Sequence, residues 1–428
     1  MTKNHSHIPY KEWTPKNKML VLAALSLSLI LFALIAGRPS EIPRGLYQII
    51  VYSDVLIADY VRIGGLAATF FNAGLLMALL TFLFWKNGDA FNGLTFAAIL
   101  TVAGFSFLGK NLLNVWPIII GVALYARFKK EPFSKYACSA LFATTMTPIV
   151  TELIFHNDFP FPVRFAIGII VGLAIGFVIP PLAAHFAKAG QGFNLYNVGF
   201  SAGVLLTVLA AVFIAIFGRG TNANTYFEGR YHSLLVGYVY VICFALIVVS
   251  LVSDKTTLRY FNQLWKRPGQ APTDFITLDG FSATLFNIGI TGMIAVSYIL
   301  LVRGEMSGVM LGPVFTIMGF AAFGKHPKNM APIFAGVLLG AFLGFWEFNT
   351  PGMLFAALFG TALSPVAGTY GIFWGVVAGF FHAALVRQSG AFHAGLNLYN
   401  NGFSAGILAM VFAPILEVIA KPRQKQKK

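Results

Sequence analysis

The sequence contains an internal repeat, and this duplication constrains the fold more than any other feature. Residues 65–122 align without a gap on residues 280–337, and 17 of the 58 aligned positions are identical. Polar side chains are costly in lipid, so chance repetition within apolar helices does not account for the polar matches. The matched polar residues include Asn72/Asn287, Lys110/Lys325 and Asn114/Asn329. The chain therefore consists of two related units.

A second duplicated motif lies further along each unit. The pattern Asn-Leu-Tyr-Asn-x-Gly-Phe-Ser-Ala-Gly occupies residues 194–203 and recurs at residues 397–406. An aspartate also recurs at the spacing of the first block, as Asp59 and Asp274. Duplicated polar residues in a membrane protein point to a solute site built between its two halves.

Composition places these repeats in a membrane. Hydrophobic residues make up 57% of the chain and charged residues 11%, and both values lie outside the globular range. Residues 19–36 and 234–251 carry no charge, and each stretch is long enough to cross roughly 30 Å of hydrocarbon. The net charge of +15 does not indicate a nucleic-acid partner, because the basic residues lie in short loops and at the termini. No metal or nucleotide motif is visible, so we expect no cofactor and no enzyme activity.

The hydropathy pattern predicts an all-α polytopic membrane protein with about fourteen apolar segments. The short segments within 91–127 and 306–347 are compatible either with paired spans or with re-entrant hairpins. The predicted segments lie at roughly 18–37, 64–85, 91–108, 111–127, 135–155, 163–185, 198–217, 231–253, 281–302, 306–323, 328–347, 352–366, 368–386 and 401–419. The predicted regions are an N-terminal segment (1–17), a first repeat (18–217), a connecting loop (218–230), a second repeat with a cytoplasmic linker at 254–274 (231–420), and a basic tail (421–428).

Charge and segment parity predict the orientation. If the N-terminus is cytoplasmic, most of the 30 basic residues fall on the cytoplasmic side, including Lys325 and Lys328. The positive-inside rule then predicts a multi-pass protein of the inner membrane with both termini in the cytoplasm. Seven segments separate equivalent points of the two units, and an odd number predicts that the second repeat is inverted.

The first candidate site is the duplicated pattern Gly-Lys-x-x-x-Asn, at residues 109–114 and 324–329. The glycine permits a turn, and free backbone amides beside Lys110 or Lys325 favour an anion. Asn114 and Asn329 add a polar group to each copy, and Asn72 and Asn287 add one from a neighbouring span. The alternative is that both lysines extend to the membrane boundary without binding anything.

The second candidate site is the duplicated asparagine motif. Asn194 and Asn197 are three residues apart, as are Asn397 and Asn400, so a helix would place each pair on one face. Their amides are suited to bind a polar solute or a cation. The alternative is an interhelical clamp that only stabilises the fold.

The duplicated aspartates are candidates for ion coupling. A carboxylate near the start of an inward-facing helix, such as Asp59 or Asp274, is able to bind Na⁺ or carry a proton. The alternative is that both residues cap helices at the interface.

With these motifs in view, the chain resembles an uncharacterised bacterial family of integral membrane proteins, known only as a domain of unknown function. The matching features are Ala58-Asp59-Tyr60, the Phe-Asn-x-Gly at 71–74, Phe107-Leu-Gly-Lys-Asn111 and Asn194-Leu-Tyr-Asn197. The resemblance covers nearly the whole chain and implies no substrate. The architecture is also similar to that of inverted-repeat secondary transporters and of urea-type channels, which is an analogy of organisation only.

The sequence therefore predicts a secondary transporter that moves a small polar solute. The lysines favour an anionic solute, and the sequence leaves open whether transport is coupled to H⁺ or Na⁺. Two alternatives are a passive channel for a small neutral solute and a membrane scaffold or lipid-active enzyme. The expected partners are membrane lipid and the solute, and the sequence leaves open whether the protein forms a homo-oligomer.

Overall fold

The computed structural model describes residues 10–88, 90–217, 229–344 and 346–425, with side chains as far as residue 419, and every regular element in these ranges is helical. The first unit contains α1 (Pro15–Ala36), α2 (Ile42–Val51), α3 (Tyr60–Lys86), α4 (Gly93–Phe105), α5 (Val115–Phe128), α6 (Ala137–Ala143), α7 (Thr147–Phe155), α8 (Phe161–Ala189) and α9 (Asn197–Phe217). The second unit contains α10 (His232–Ser253), α11 (Thr257–Leu264), α12 (Phe275–Asp279), α13 (Phe281–Leu301), α14 (Leu311–Phe320), α15 (Pro327–Leu343), α16 (Pro351–Gly360), α17 (Ser364–Tyr370), α18 (Ile372–Ser389) and α19 (Asn400–Lys425).

Nine stretches of the described chain are long and apolar enough to cross a membrane, which supports a multi-pass membrane protein. They are Pro15–Ala36, Tyr60–Lys86, Ala137–Phe155, Phe161–Ala189, Asn197–Ile216, His232–Ser253, Phe281–Leu301, Pro351–Tyr370 and Asn400–Ile419. The predicted count of fourteen is not confirmed. Four of the predicted segments are apolar helices of only 10–17 residues, because polar breaks at 106–114 and 321–326 divide the chain there.

Capping residues set the start of several helices. The Thr14 hydroxyl accepts a hydrogen bond from the backbone amide of Asn17 at the start of α1 (3.2 Å). Asn92 accepts one from the Thr95 amide at the start of α4 (3.0 Å). Each cap satisfies an amide that has no partner within its helix, so the polar residue before each apolar run sets the boundary.

The two units pack together through equivalent helices, α4 against α14 and α9 against α19. A Cβ atom added at Gly104 would lie 2.7 Å from the carbonyl oxygen of Gly312, and one at the equivalent Gly319 would lie 3.0 Å from the Ala97 Cα. Such close backbone approaches need glycine, as at small-residue helix interfaces in membranes. The contact is reciprocal, because positions 97 and 104 of the first unit correspond to positions 312 and 319 of the second.

The start of α4 and the end of α5 lie on the same side of the molecule. The backbone amide of Gly93, at the start of α4, donates to the Asp274 carboxylate in the linker (3.0 Å). Helix α5 runs parallel to α8, and the chain after α8 hydrogen-bonds to the linker through Ala271 and Gly192 (3.0 Å). Both outer ends of the α4–α5 pair therefore lie on the linker side.

The α14–α15 pair has the corresponding arrangement on the opposite side. A Cβ atom at Gly308, just before α14, would lie 2.8 Å from a carboxylate oxygen of Asp59. Helix α15 runs parallel to α18, and the Leu56 amide donates to the Gly395 carbonyl just beyond α18 (3.0 Å). In neither pair do the two helices pack along each other, so each pair is splayed rather than a compact hairpin.

The N-terminal segment packs onto the linker. The Lys11 backbone amide donates to the Asp254 carboxylate (2.8 Å), and the Trp13 indole donates to the Ser282 hydroxyl (2.9 Å). The predicted cytoplasmic segment thus contacts the second unit from residue 10 onward. Residues 1–9, 218–228 and 426–428, which include most of the predicted connecting loop and the end of the tail, lie outside the described residues.

Candidate functional site

The two duplicated lysines occupy equivalent buried positions. Lys110 and Lys325 are both 0% exposed. The Lys110 ammonium donates to the Tyr399 hydroxyl (2.5 Å), and the Lys325 ammonium donates to the Tyr196 hydroxyl. Each unit therefore contributes a lysine that binds a tyrosine of the other unit, and that tyrosine lies within the second duplicated motif.

Aromatic faces complete the surroundings of each ammonium. The Lys110 Nζ lies 4.5 Å from the ring centre of Tyr399 and 5.4 Å from that of Phe105. The Lys325 Nζ lies 4.5 Å from the ring centre of Tyr196, and it also donates to the Thr361 hydroxyl (2.6 Å). Cation–π contacts stabilise a desolvated cation by about 2 kcal/mol. Among the described residues, neither lysine forms an ion pair with a carboxylate.

These contacts contradict two expectations about the lysines. Lys325 does not lie at the cytoplasmic surface, where the charge pattern placed it, because the break after α14 folds into the protein. Neither lysine extends to the surface of the protein, because each is held by a hydroxyl in the interior. The adjacent Lys328 is exposed, so the expected surface position applies to Lys328 alone within this motif.

Glycine and asparagine shape the backbone around each lysine. Gly109 and Gly324 adopt φ values of 142° and 101°, which side-chain-bearing residues rarely adopt. The Asn72 amide donates to the carbonyls of Ser106 and Lys110 (2.9 and 3.0 Å), which have no helical partner. Asn287 does the same for Ala321 and Lys325 (2.8 and 2.7 Å). Asn72 and Asn287 thus hold the breaks that present the lysines.

Asn114 and Asn329 close the same turns from the other end. The Asn114 amide donates to the Gly109 carbonyl (3.1 Å), and the Asn329 amide donates to the Gly324 carbonyl (2.9 Å). Asn114 immediately precedes α5, and Asn329 lies in the first turn of α15. Their conserved spacing from the lysine is therefore explained by turn geometry, and Asn114 has further partners that Asn329 lacks.

The asparagines of the second motif do not share a helical face as predicted. Asn194 lies before α9, and its side-chain oxygen accepts from the Tyr196 amide (2.9 Å), so the pair is split between a turn and a helix. Asn397 does the same with the Tyr399 amide (3.0 Å). These turns point the tyrosines at the lysines. In α9 and α19, Asn197 and Asn400 donate to carbonyls of the preceding long helix, which agrees with the clamp alternative.

A cavity of about 240 Å³ lies between the units, bordered by both tyrosines that bind the lysines. The lysines themselves do not line the cavity, and each lies one hydrogen bond behind its wall. Most of the wall is apolar, and its aromatic part comes from both units: Phe105, Phe142, Phe320, Phe323 and Phe359. The Thr101 hydroxyl on this wall is 2% exposed and has no hydrogen-bond partner. The cavity therefore combines a large aromatic surface with a few polar groups.

The cavity extends toward the linker side. Ala187 near the end of α8 and Ala271 in the linker border it. A second cavity of about 330 Å³ adjoins it there and shares Asn194 and Asn197 with it. At the equivalent position of the second unit, Asn400 is buried and accepts from the Ser389 hydroxyl (2.8 Å). The two copies of the motif thus differ in accessibility.

The duplicated aspartates act as helix caps in the structure. Asp59 accepts from the Val61 amide (2.9 Å) at the start of α3, and Asp274 accepts from the Thr277 amide (3.2 Å) at the start of α12. Asp274 also binds the first amide of α4. Both residues therefore match the capping alternative, and their role in ion coupling stays a prediction.

Asp54 is a buried carboxylate that sequence reasoning missed. It lies in the connection between α2 and α3, is 0% exposed, and accepts hydrogen bonds from four side chains around the first break. The donors are Tyr60, Thr151 (2.5 Å), Asn114 (2.8 Å) and Asn111 (3.5 Å). No repeat signal reveals Asp54, because the equivalent position in the second unit is Gly269. The sequence feature that could have indicated Asp54 is an isolated acidic residue between two apolar helices.

The comparisons with known proteins identify a family but no activity. A search of curated proteins and a search of solved structures each returned no match. The family described as "Protein of unknown function (DUF1576)" matches residues 38–215 and again residues 231–418, which agrees with the resemblance noted from the sequence. These matches span most of the sequence, and the chain belongs to this family of uncharacterised function.

Proposed function

We propose that the protein is a secondary transporter for a small organic anion with an aromatic or apolar body. The observation that carries the proposal is the pair of buried lysines, each bound to a tyrosine of the other unit at the wall of the central cavity. No carboxylate among the described residues balances either lysine. A buried lysine without a counter-charge favours its neutral amine form, whereas a nearby anion favours the charged form. Anion binding would therefore be linked to protonation of the lysines.

The cavity wall supports a solute with both a charged and an apolar part. The five phenylalanine rings favour a flat or hydrophobic body, as in most small-molecule sites. The tyrosine hydroxyls, polarised by the lysines behind them, favour a carboxylate or another anionic group. The Thr101 hydroxyl offers a further polar contact on the same wall.

The unequal exposure of the two asparagine motifs supports alternating access rather than a passive channel. Asn194 and Asn197 line both cavities beside the linker, whereas Asn400 of the second copy is buried. Because the two units make reciprocal contacts, we infer that they exchange conformations. In the exchanged state, Asn397 and Asn400 would border an opening on the opposite side.

We also propose that the two units are inverted in the membrane, with the linker side in the cytoplasm. The α4–α5 pair has both ends on the linker side, and the α14–α15 pair has both ends on the other. This arrangement supports two splayed hairpins that enter from opposite sides, with their breaks covered by protein.

Cysteine labelling tests the inverted topology. After replacement of Cys138 and Cys243 by alanine, an impermeant maleimide is expected to label Asn87→Cys and Lys129→Cys from the side that labels Lys255→Cys in the linker. Arg303→Cys and Glu347→Cys are expected to label only from the opposite side, because they flank the α14–α15 pair. Labelling of Asn87→Cys and Lys129→Cys from opposite sides would show that α4 and α5 form one broken span.

A thermal-shift screen of the purified protein tests the solute class. The panel contains benzoate, phenylacetate, succinate, glucose and urea, with and without Na⁺ and at two pH values. We expect aromatic carboxylates to raise the midpoint of unfolding, and we expect the shift to depend on Na⁺ or pH. A response to urea or glucose alone, indifferent to ions, would reject the anion transporter in favour of the channel.

The duplicated aspartates are the first coupling candidates in this proposal. Neutralising Asp59 and Asp274 together is expected to change the ion dependence of the benzoate response if either carboxylate binds the coupling ion. An unchanged ion dependence in a folded double variant would remove both residues from that role and leave them as caps.

A further inference from the structure

The buried carboxylate of Asp54 has surroundings suited to a proton. The two amides that face it, from Asn111 and Asn114, are fixed as donors, because their side-chain oxygens accept from backbone amides. The two hydroxyls that face it, from Tyr60 and Thr151, are able to donate or to accept. A carboxylate only accepts hydrogen bonds, whereas a protonated carboxyl group also donates one and needs an acceptor. The cage therefore accommodates both protonation states of Asp54.

The same cage is poorly suited to a metal cation or to an ion pair. A cation such as Na⁺ requires several oxygen ligands, whereas Asp54 is surrounded mainly by donors. No lysine, arginine or histidine among the described residues forms an ion pair with Asp54. The titratable groups that face Asp54 are Tyr60 from α3 and, at longer range, Glu152 from α7. An uncompensated buried carboxylate is costly, and protonation removes the cost.

The cage exists in the first unit only. Asp54, Tyr60 and Asn111 correspond to Gly269, Phe275 and His326 at the offset of the repeat. The Gly269 backbone lies close to Asn329, where a Cβ atom would be 2.7 Å from its amide nitrogen. The second unit thus fills the equivalent space with backbone. The carboxylate and its cage are therefore specific to the first unit.

A short series of polar groups connects Asp54 to the surface opposite the linker. Thr151, which donates to Asp54, precedes Glu152 in α7, and Ser53, which precedes Asp54, donates to Glu152 (2.5 Å). The His156 imidazole lies 3.7 Å from the same carboxylate, and its side chain is 35% exposed. A proton that enters at His156 could therefore pass to Glu152, which is adjacent in sequence to Thr151, a donor to Asp54.

Burial raises the pKa of the Asp54 carboxyl to about 8, and the negative charge of Glu152 adds to the rise. Hydrogen bonds from Thr151, Tyr60 and Asn114 oppose the rise without cancelling it. A carboxyl with this pKa changes its protonation near neutral pH, which a coupling group requires.

We propose that Asp54 is a proton-binding site, loaded from the side opposite the linker through His156 and Glu152, and that its proton drives transport. The coupling part of the proposal rests on the proposed transporter function, whereas proton binding does not. The solute cavity borders the linker side and the proton path borders the other side. A proton moving inward would therefore be able to drive the exchange between the two accessible states.

Infrared difference spectroscopy during a pH titration tests proton binding without any solute. The wild-type protein is expected to show a protonated-carboxyl band that disappears as pH rises through about 8. Asp54→Asn is expected to lack this band. Asp254→Asn, which removes a carboxylate that accepts from the Lys11 backbone amide, is expected to keep the band. An unchanged band in Asp54→Asn would overturn the proposal.

Glu152→Gln provides a second test that preserves Asp54. Removal of the neighbouring negative charge is expected to move the titration of the Asp54 band to lower pH, since a like charge raises the pKa of a carboxyl. A purely structural role for Asp54 predicts no titrating band to move. An identical midpoint in Glu152→Gln would remove Glu152 from the path.

Flux of benzenesulfonate into proteoliposomes separates the two proposals, because this aromatic anion stays charged and crosses lipid slowly. A pH gradient is expected to drive its accumulation by the wild type, and Asp54→Asn is expected to lose accumulation while retaining exchange. Equal accumulation by Asp54→Asn would overturn proton coupling. Absence of flux in the wild type, with the infrared band present, would reject the transporter and leave the proton site supported.

Discussion

Replacing Lys325 by methionine is expected to abolish the stabilisation by benzoate while leaving the unliganded protein at least as stable as the wild type. Lys325 does not line the cavity and acts on the ligand through the Tyr196 hydroxyl. Hydrogen bonds that involve a charged group contribute about 1.5–3 kcal/mol. An effect of this size raises the Kd for benzoate by roughly 10-fold or more. Isothermal titration of both proteins with benzoate measures the difference.

The stability part of this expectation follows from the surroundings of the lysine. Lys325 is 0% exposed and has no carboxylate partner among the described residues, so its removal leaves no opposite charge unpaired. Methionine has a similar length and no charge to bury, and hydrophobic replacement of buried ionic groups is often neutral or stabilising. A marked fall in the unfolding midpoint would instead indicate that the lysine serves the fold.

Lys328→Met is the matched control for this variant. It removes the same charge three residues further along, where Lys328 is exposed in the first turn of α15. Benzoate binding is expected to change by less than about 1 kcal/mol, as for other exposed charges. Equal losses in both variants would point to general electrostatic attraction and would contradict a specific role for the buried position.

The second large effect concerns helix packing. Gly336→Ala is expected to destabilise the protein by about 3 kcal/mol, at the upper end of the range for overpacked cores. A Cβ atom at Gly336 would lie 2.1 Å from the Val376 carbonyl oxygen, and neither backbone is free to move within the parallel α15–α18 contact. Denaturant-induced unfolding in detergent, followed by tryptophan fluorescence, measures the change.

The equivalent glycine of the first unit provides a replicate of this substitution, and an uncrowded helical glycine provides its control. Gly121, which is equivalent to Gly336, would place a Cβ atom 2.2 Å from the Leu173 carbonyl oxygen, so Gly121→Ala is expected to cost a similar amount. Gly237 in α10 has nothing within 4 Å of its added Cβ. Gly237→Ala is expected to stabilise the helix by about 0.5–1 kcal/mol. Equal effects at all three positions would refute the packing explanation.

The sequence predicted the polar elements of the site because duplication singled them out. Lys110 and Lys325 each proved to be buried at a break, and their surrounding glycines and asparagines hold the turns. Repetition is informative for such residues, since a polar group in an apolar segment is retained only where it has partners. The all-helical membrane architecture followed from composition in the same way.

The tyrosine partners of the two lysines could not be predicted from the sequence. Lys110 and Tyr399 are 289 positions apart, and no local pattern indicates a contact between units at that distance. The tyrosine stands inside the repeated motif, but periodicity drew attention to the asparagines on either side of it. The predicted helical face failed because the Asn194 side chain binds the backbone and delays the start of α9 until Asn197.

Asp54 shows the limit of reasoning from repeats. A residue that belongs to one unit only is invisible to a comparison of the two, and Gly269 in the other unit gives no hint of a carboxylate. Its cage is assembled from the α2–α3 connection, the first break and α7, which are far apart along the chain. Only the fold brings these three segments together.

The exchange of lysine–tyrosine contacts between units also constrains biosynthesis. The first half of the chain leaves the ribosome with Lys110 already in an apolar segment, yet its tyrosine is added 289 residues later. Until the C-terminal helix is inserted, the first half holds an unsatisfied cation and an uncovered glycine face. We therefore expect the N-terminal half, expressed alone, to be degraded by membrane quality control, and co-expression of the C-terminal half to rescue it.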